Sequence, residues 1–203
     1  MPTTDPLDEV AVANMAIDVL DDVAIADLDQ GGPVAEFMRR NFGPTRDEIL
    51  QQFPWPFAKK YQYVGIDSDG PPFGWDYAYT LPTDCIEPYP IRYEGKWSGN
   101  LIVYEIVGRK IYTNHEAPLP LIYKRKVTNM AEWTPLAARV LAMQLAVYGA
   151  QNITGKRSYV EKAAGMLSAA REEARLTESL SAGTPEPQSR HDIIDFRGRG
   201  FGT

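Results

Sequence analysis

The feature that most constrains this chain is a change of texture that happens twice. Up to Phe53, and again from Thr134, apolar residues recur at helical spacing, whereas from Phe57 to about Val127 the sequence turns to tyrosines, β-branched residues, prolines and glycines. That middle composition is the one of short strands and turns. Both switches carry a proline. Pro54-Trp55-Pro56 closes the first helical stretch, because the residue before a proline is pushed out of the helical region, and Thr134-Pro135 reopens it as an N-cap followed by a first-position proline. A chain of 203 residues holds one domain with an insert more comfortably than two large independent domains. The expected fold is α+β, a helical bundle frame with an inserted, mostly antiparallel β-sheet domain and an extended C-terminal arm. Residues 1–56 supply the first helices of the frame, 57–128 the insert, 129–181 the helices that complete the frame, and 182–203 a linker and tail.

Within the frame, Asp5 and Pro6 read as the cap and first residue of a helix whose apolar face is Leu7, Val10, Ala13, Ile17 and Leu20. A second helical pattern runs over Val34, Met38, Phe42, Ile49 and Phe53, and Gly43-Pro44 inside it predicts a kink or two abutting helices. Residues 136–153 are apolar nearly all round and are expected to form the central, most buried helix. Ser158-Tyr159-Val160-Glu161 reads as a capping box, opening a last helix with Val160, Ala163, Leu167, Ala170 and Ala174 on its inner face. In the insert the candidate strands are 61–66, 75–80, 86–93, 101–107, 110–113 and 121–127, with Gly108-Arg109 the best hairpin turn.

Charge and composition exclude several functions. A net charge of −6 argues against a protein built to grip nucleic acid, which needs a concentrated basic face. The single cysteine, Cys85, forbids an internal disulfide, and with only His115 and His191 beside it no zinc ligand set is expected. Residues 1–9 lack the basic-then-apolar order of a secretory signal, and the longest apolar stretch, 136–150, is broken by Arg139 and Gln144 and is too short for a bilayer, so no export and no membrane partner are expected. Gly155-Lys156 is not a phosphate loop, because Gly149 is one residue too distant and Arg157 stands where Ser or Thr should be. Asp67-Ser68-Asp69-Gly70 lacks the distal glutamate of a calcium loop, Ala78 holding that position. A Cys85–His115 dyad has no supporting signature, and Asn152-Ile153-Thr154 ends a helix instead of presenting a glycosylation loop. No catalytic, cofactor-binding or metal-binding set is therefore expected.

Two rival classes stay open at this level. One is a small α+β enzyme or ligand-binding protein using carboxylates such as Asp76 and Asp84. The other is a nucleic-acid module using Lys124, Arg125, Lys126 and the terminal arginines.

The tail after Ser181 has no periodicity and reads as a linker, but it ends in an apolar and arginine-glycine patch. Asp192, Ile193, Ile194, Asp195, Phe196, Arg197, Gly198, Arg199, Gly200 and Phe201 are the candidate docking residues, since such a patch gains its contacts only from a partner.

The order of pieces resembles a known family. An Asn14-Met15-Ala16 helix is followed by Arg46-Asp47-Glu48-Ile49-Leu50 running into Phe53-Pro54-Trp55-Pro56-Phe57-Ala58, then Gly74-Trp75-Asp76-Tyr77-Ala78-Tyr79 with Leu81-Pro82-Thr83-Asp84-Cys85. Further on come Tyr104-Glu105-Ile106-Val107-Gly108-Arg109-Lys110-Ile111-Tyr112-Thr113-Asn114, Tyr123, and Trp133-Thr134-Pro135 opening the alanine-rich helix. This series resembles the head-to-tail adaptor family of tailed phages, including the tail tubular protein A type and related gene-transfer particles. The resemblance implies a virion structural protein at the neck of the particle. It implies a ring of identical subunits, commonly twelve, with a portal protein and a tail or nozzle protein as partners, DNA passing transiently through the lumen, and a C-terminal tail that reaches into the portal. The insert is compact beside that of short-tailed relatives.

Overall fold

The computed structural model describes residues 7–95 and 99–181. Helix α1 (Glu9–Val19) is capped by Asp8, whose carboxylate accepts the Ala11 amide at 2.6 Å. The Asp5-Pro6 start expected from sequence lies outside the described residues. The helix begins after it because Asp8 is itself a good cap and sets Glu9 at the positive end of the helix dipole. Val12, Ala13, Ala16 and Ile17 are buried. Asn14 fastens the loop that follows: its side-chain amide donates to the Ile25 carbonyl at 2.9 Å and its side-chain carbonyl accepts the Ile25 amide at 2.8 Å.

Helix α2 (Pro33–Gln52) passes through Pro44 as one helix, where a kink or break was expected. Proline there forfeits a backbone bond and costs ~3 kcal/mol. Met38 and Phe42 before it and Ile49 and Leu50 after it are all buried in one core. At ~1.5–3 kcal/mol for each such side chain, that shared face outweighs the lost bond.

Helix α3 (Pro135–Gly149) starts as expected, with the Thr134 hydroxyl accepting the Ala137 amide at 3.3 Å, and is packed by α1, by α2 and by α4 (Arg157–Ser181). Gly149 explains how close that packing is. A Cβ there would lie 3.0 Å from Ile153 Cδ1, 3.1 Å from Phe37 Cε1 and 3.4 Å from Leu20 Cδ1. Ala150–Thr154 then widens into a π-helical turn that Gly155 closes at φ +65°. Helix α4 begins one residue ahead of Ser158, so the expected capping box does not form, and Glu161 instead accepts from Arg157 at 3.1 Å. Its inner face is the expected one, with Ala163, Leu167, Ala170 and Ala174 buried.

The insert contributes β1 (Lys59–Val64), β2 (Tyr77–Thr80), β3 (Cys85–Pro88), β4 (Tyr104–Val107), β5 (Lys110–Thr113) and β6 (Leu119–Arg125). They form two antiparallel three-stranded sheets, ordered β1-β6-β3 and β2-β5-β4, in place of the single sheet expected. The 86–93 strand shortens to four residues because Pro88 and Pro90 cannot donate to a ladder. The β4–β5 hairpin turns where the sequence placed it, with Val107 opposite Lys110 and Gly108 at φ +62°. Between the sheets lies a second core that includes Tyr79, Ile91, Ile102, Ile111, Leu119, Leu121 and Tyr123.

Frame and insert meet at an aromatic joint. Phe53, Trp55, Phe57 and Trp133 pack in succession with ring centroids 5.1, 5.9 and 5.3 Å apart, the middle pair stacked and the outer two tilted. The Trp55 indole donates to the Ile49 carbonyl at 3.0 Å and that of Trp133 to the Val127 carbonyl at 3.2 Å, which satisfies both buried N–H groups.

Candidate functional site

Residues 192–201, where sequence places partner docking, lie outside the described residues. What the described residues offer is a surface, and it is concentrated on the insert. Of the thirteen large apolar side chains exposed among them, nine belong to the insert: Tyr61, Tyr63, Ile66, Phe73, Tyr93, Leu101, Val103, Ile106 and Val107. Single exposed apolar residues need no explanation, and it is their concentration on one part of the chain that distinguishes the insert from the frame. Strands β1 and β4 are sheet edges, and no described strand pairs with their outer sides. Unpaired edges with apolar neighbours are templates for another chain.

On the same insert, an open groove of ≈ 330 Å³ lies along the β1–β6 pair. Tyr63 comes from β1 and faces Pro120 directly across the ladder; Pro118 and Ala117 lead into β6. The far wall is Tyr93 and His115, packed edge to face with centroids 5.2 Å apart. Two carboxylates, Glu94 and Glu116, are exposed at its rim, and Glu94 holds a left-handed φ of +55°, rare for a residue with a Cβ. Sequence reasoning passed over this groove. The candidate strands 61–66 and 121–127 cover Tyr63 but stop short of Pro118 and Pro120, and proline is disfavoured inside a sheet. Pro120 is tolerated because it sits at the end of β6 that β3 does not reach.

Several of the polar groups singled out in the sequence are committed to structural pairs. Asp84 accepts from Lys60 at 2.8 Å and from the Tyr123 hydroxyl at 2.9 Å. Burial pushes its carboxyl up, but these hydrogen bonds outweigh that and leave it below the usual carboxylate range. The Asp76 backbone amide donates to the Asn114 side-chain carbonyl at 3.0 Å, and neither aspartate lines the groove. Asp67 accepts from Thr80 at 2.6 Å and pairs with Lys110 at 3.0 Å, and those bonds hold it down to about 2. Lys110 reaches Asp69 as well, at 2.8 Å, so the acidic turn at 67–70 is occupied by a lysine. Burial pushes the Cys85 thiol up to about 11, which keeps it protonated at neutral pH, and Cys85 does not share the groove with His115.

The basic triplet is likewise engaged. Lys124 pairs with Glu87 at 3.2 Å and donates to the Gln51 carbonyl, Arg125 pairs with Glu132, and Lys126 pairs with Asp47 at 2.5 Å. These contacts brace the insert against the frame and leave little free charge for phosphates. Among the described residues no cluster of three or more His, Cys, Asp or Glu is placed to hold a metal ion, and no helix is long and apolar enough to cross a membrane. Neither a protein-family model nor a curated protein matches this sequence.

Proposed function

We propose that this chain is a structural head-to-tail adaptor of a tailed phage or phage-like particle, a subunit of a ring that sits under the portal, conducts DNA and joins capsid to tail. The observation that carries the reading is the division of labour between the two cores. The frame buries most of its large apolar side chains in α1–α4, and the insert, braced by the aromatic joint and three cation contacts, keeps a core of its own but exposes nine of the thirteen large apolar side chains found exposed among the described residues. A ring subunit needs that combination: a rigid wedge, and flanks whose apolar surface is covered by copies of itself and by a neighbouring ring. Further support comes from α1 and its loop, where Asp18, Asp21, Asp22, Asp27 and Asp29 are exposed with no basic residue between them in sequence, Lys162 of α4 pairing with Asp21 at 3.4 Å. Acidic surface favours passage of DNA, because each lysine or arginine contact with phosphate would add affinity and slow sliding.

The test is assembly. Purified chain mixed with portal rings from the cognate particle should raise the mass of the ring by whole subunits in native mass spectrometry. Removing residues 192–203 should weaken that gain at least tenfold in the concentration needed, with the far-ultraviolet circular dichroism of the folded chain retained. An unchanged ring mass at saturating chain would overturn the reading.

A further inference from the structure

We propose that the segment Phe196-Arg197-Gly198-Arg199-Gly200-Phe201 of this chain seats in the groove between Tyr63, Tyr93 and Pro118 on the insert. This inference goes beyond the adaptor reading and needs no portal.

The groove selects its occupant by chemistry. Its walls are tyrosine rings and prolines, and its rim carries Glu94 and Glu116. Such a site takes an aromatic side chain against the walls and a guanidinium against the rim, because arginine both stacks on tyrosine faces and meets a carboxylate with two parallel N–H donors. Residues 196–201 hold two phenylalanines, two arginines and no acidic residue. Gly198 and Gly200, without Cβ atoms, let the backbone lie close along the Pro118–Pro120 wall. The neighbouring parts of the tail are poor competitors: Asp192 and Asp195 upstream, and Glu186 between Pro185 and Pro187, would set a like charge beside the rim carboxylates. The left-handed Glu94 supports the same reading, since a strained backbone at a groove rim holds a recognition group in place.

Reach is not an obstacle. Phe201 lies twenty residues beyond Ser181, enough for roughly 70 Å of extended chain at about 3.3–3.6 Å per residue, against a radius of gyration of roughly 16 Å for a compact domain of this size. A tether of that length holds its end at about millimolar local concentration, so a groove of only micromolar intrinsic affinity would be filled most of the time. The arm that the adaptor reading sends to the portal is then parked on the insert until a stronger site competes for it.

The experiment uses the full chain with a photoreactive benzophenone on the ring of Phe201, irradiated without any portal and mapped by peptide mass spectrometry. Cross-links should fall on Tyr63, Tyr93 and residues 115–120, and the double variant Glu94→Arg with Glu116→Arg should lower their yield at least fivefold. Adding Arg197→Glu and Arg199→Glu to that variant should restore at least half of the lost yield, which a merely unfolded groove would not allow. Cross-links scattered over the helical frame, or a yield indifferent to the charge reversal, would overturn the proposal. Because portal rings are absent, failure here leaves the assembly test above untouched, and the reverse holds too.

Discussion

The two cores of this molecule are built from different side chains and end in different surfaces. In the frame, alanines at 137, 138, 142 and 146 on α3 and at 163, 170 and 174 on α4 are fully buried, so the helices approach closely and leave few apolar groups outside. In the insert, short strands carry large side chains on both faces. Tyr79, Ile111 and Tyr123 fill the space between the sheets, while Tyr61, Tyr63, Val103 and Val107 stay exposed. A helix of small residues can satisfy itself by packing against its neighbours, but a three-stranded sheet also has two edges; β6 is buried along residues 119–123, whereas the edge strands β1 and β4 keep exposed apolar side chains. The difference teaches where a partner would gain most: on the insert, whose surface the chain's own fold leaves uncovered.

The contrast depends on the joint, and Trp55→Ala breaks it most severely. Trp55 is fully buried between Phe53 and Phe57 and donates to Ile49. Its loss should cost ~3–5 kcal/mol and release the insert from the frame. Urea unfolding followed by far-ultraviolet circular dichroism should show one transition for the parent and two for the variant, with the insert melting first. A single transition displaced by less than about 1 kcal/mol would mean that the polar contacts of Lys124 and Lys126 carry the coupling alone.

A pair of glycines sharpens the comparison inside the frame. At Gly149 a new methyl group meets Ile153, Phe37 and Leu20 at 3.0–3.4 Å, whereas at Gly165, on the outer part of α4, it meets nothing within 4 Å. Gly149→Ala gains about 1 kcal/mol of helix propensity but overpacks a tight junction, which typically costs ~1–3 kcal/mol. The expected net is a loss of ~1 kcal/mol. Gly165→Ala keeps the propensity gain and should stabilise by ~0.5–1 kcal/mol. Opposite signs in thermal melts are the expected outcome, and equal signs would contradict the close approach at residue 149.

Much of this architecture was legible in the chain. The switch at Pro54-Trp55-Pro56, the Thr134 cap, the buried helix after it, the Gly108 turn and the alanine face of α4 all follow from local rules, and the structure has each of them. What was not legible depended on tertiary context. Pro44 reads as a breaker, but buried neighbours on both sides of it hold the helix together. Pro120 reads as the end of a strand, but it occupies a register position that no second neighbour requires. The grouping of Tyr63 with Tyr93, His115 and Glu116 joins three separate stretches of chain, and no spacing rule connects them. The candidate docking tail was legible only as composition, and the site proposed for it on the insert required the fold.

The smallest effect separates the two regions by pH. The frame's core is held almost wholly by apolar contact, whereas the β2 edge of the insert leans on Asp67, which accepts from Thr80 Oγ1 and pairs with Lys110 Nζ. Those partners hold the carboxyl down to about 2 in the folded chain, against about 3.9 for an unperturbed aspartate. A depressed folded value stabilises above the unfolded one, so the contribution is complete above about pH 4 and disappears as pH falls through about 2. Asp67→Asn removes the charge while keeping the side-chain shape. Its urea midpoint should fall slightly below the parent's at pH 7, by less than either glycine change produces, since exposed ion pairs are weak. The gap should close between pH 4 and pH 2, because the parent then loses what the variant never had. A gap that stays constant down to pH 2 would assign the effect to hydrogen-bond shape and not to charge, and would remove the electrostatic half of the contrast between insert and frame.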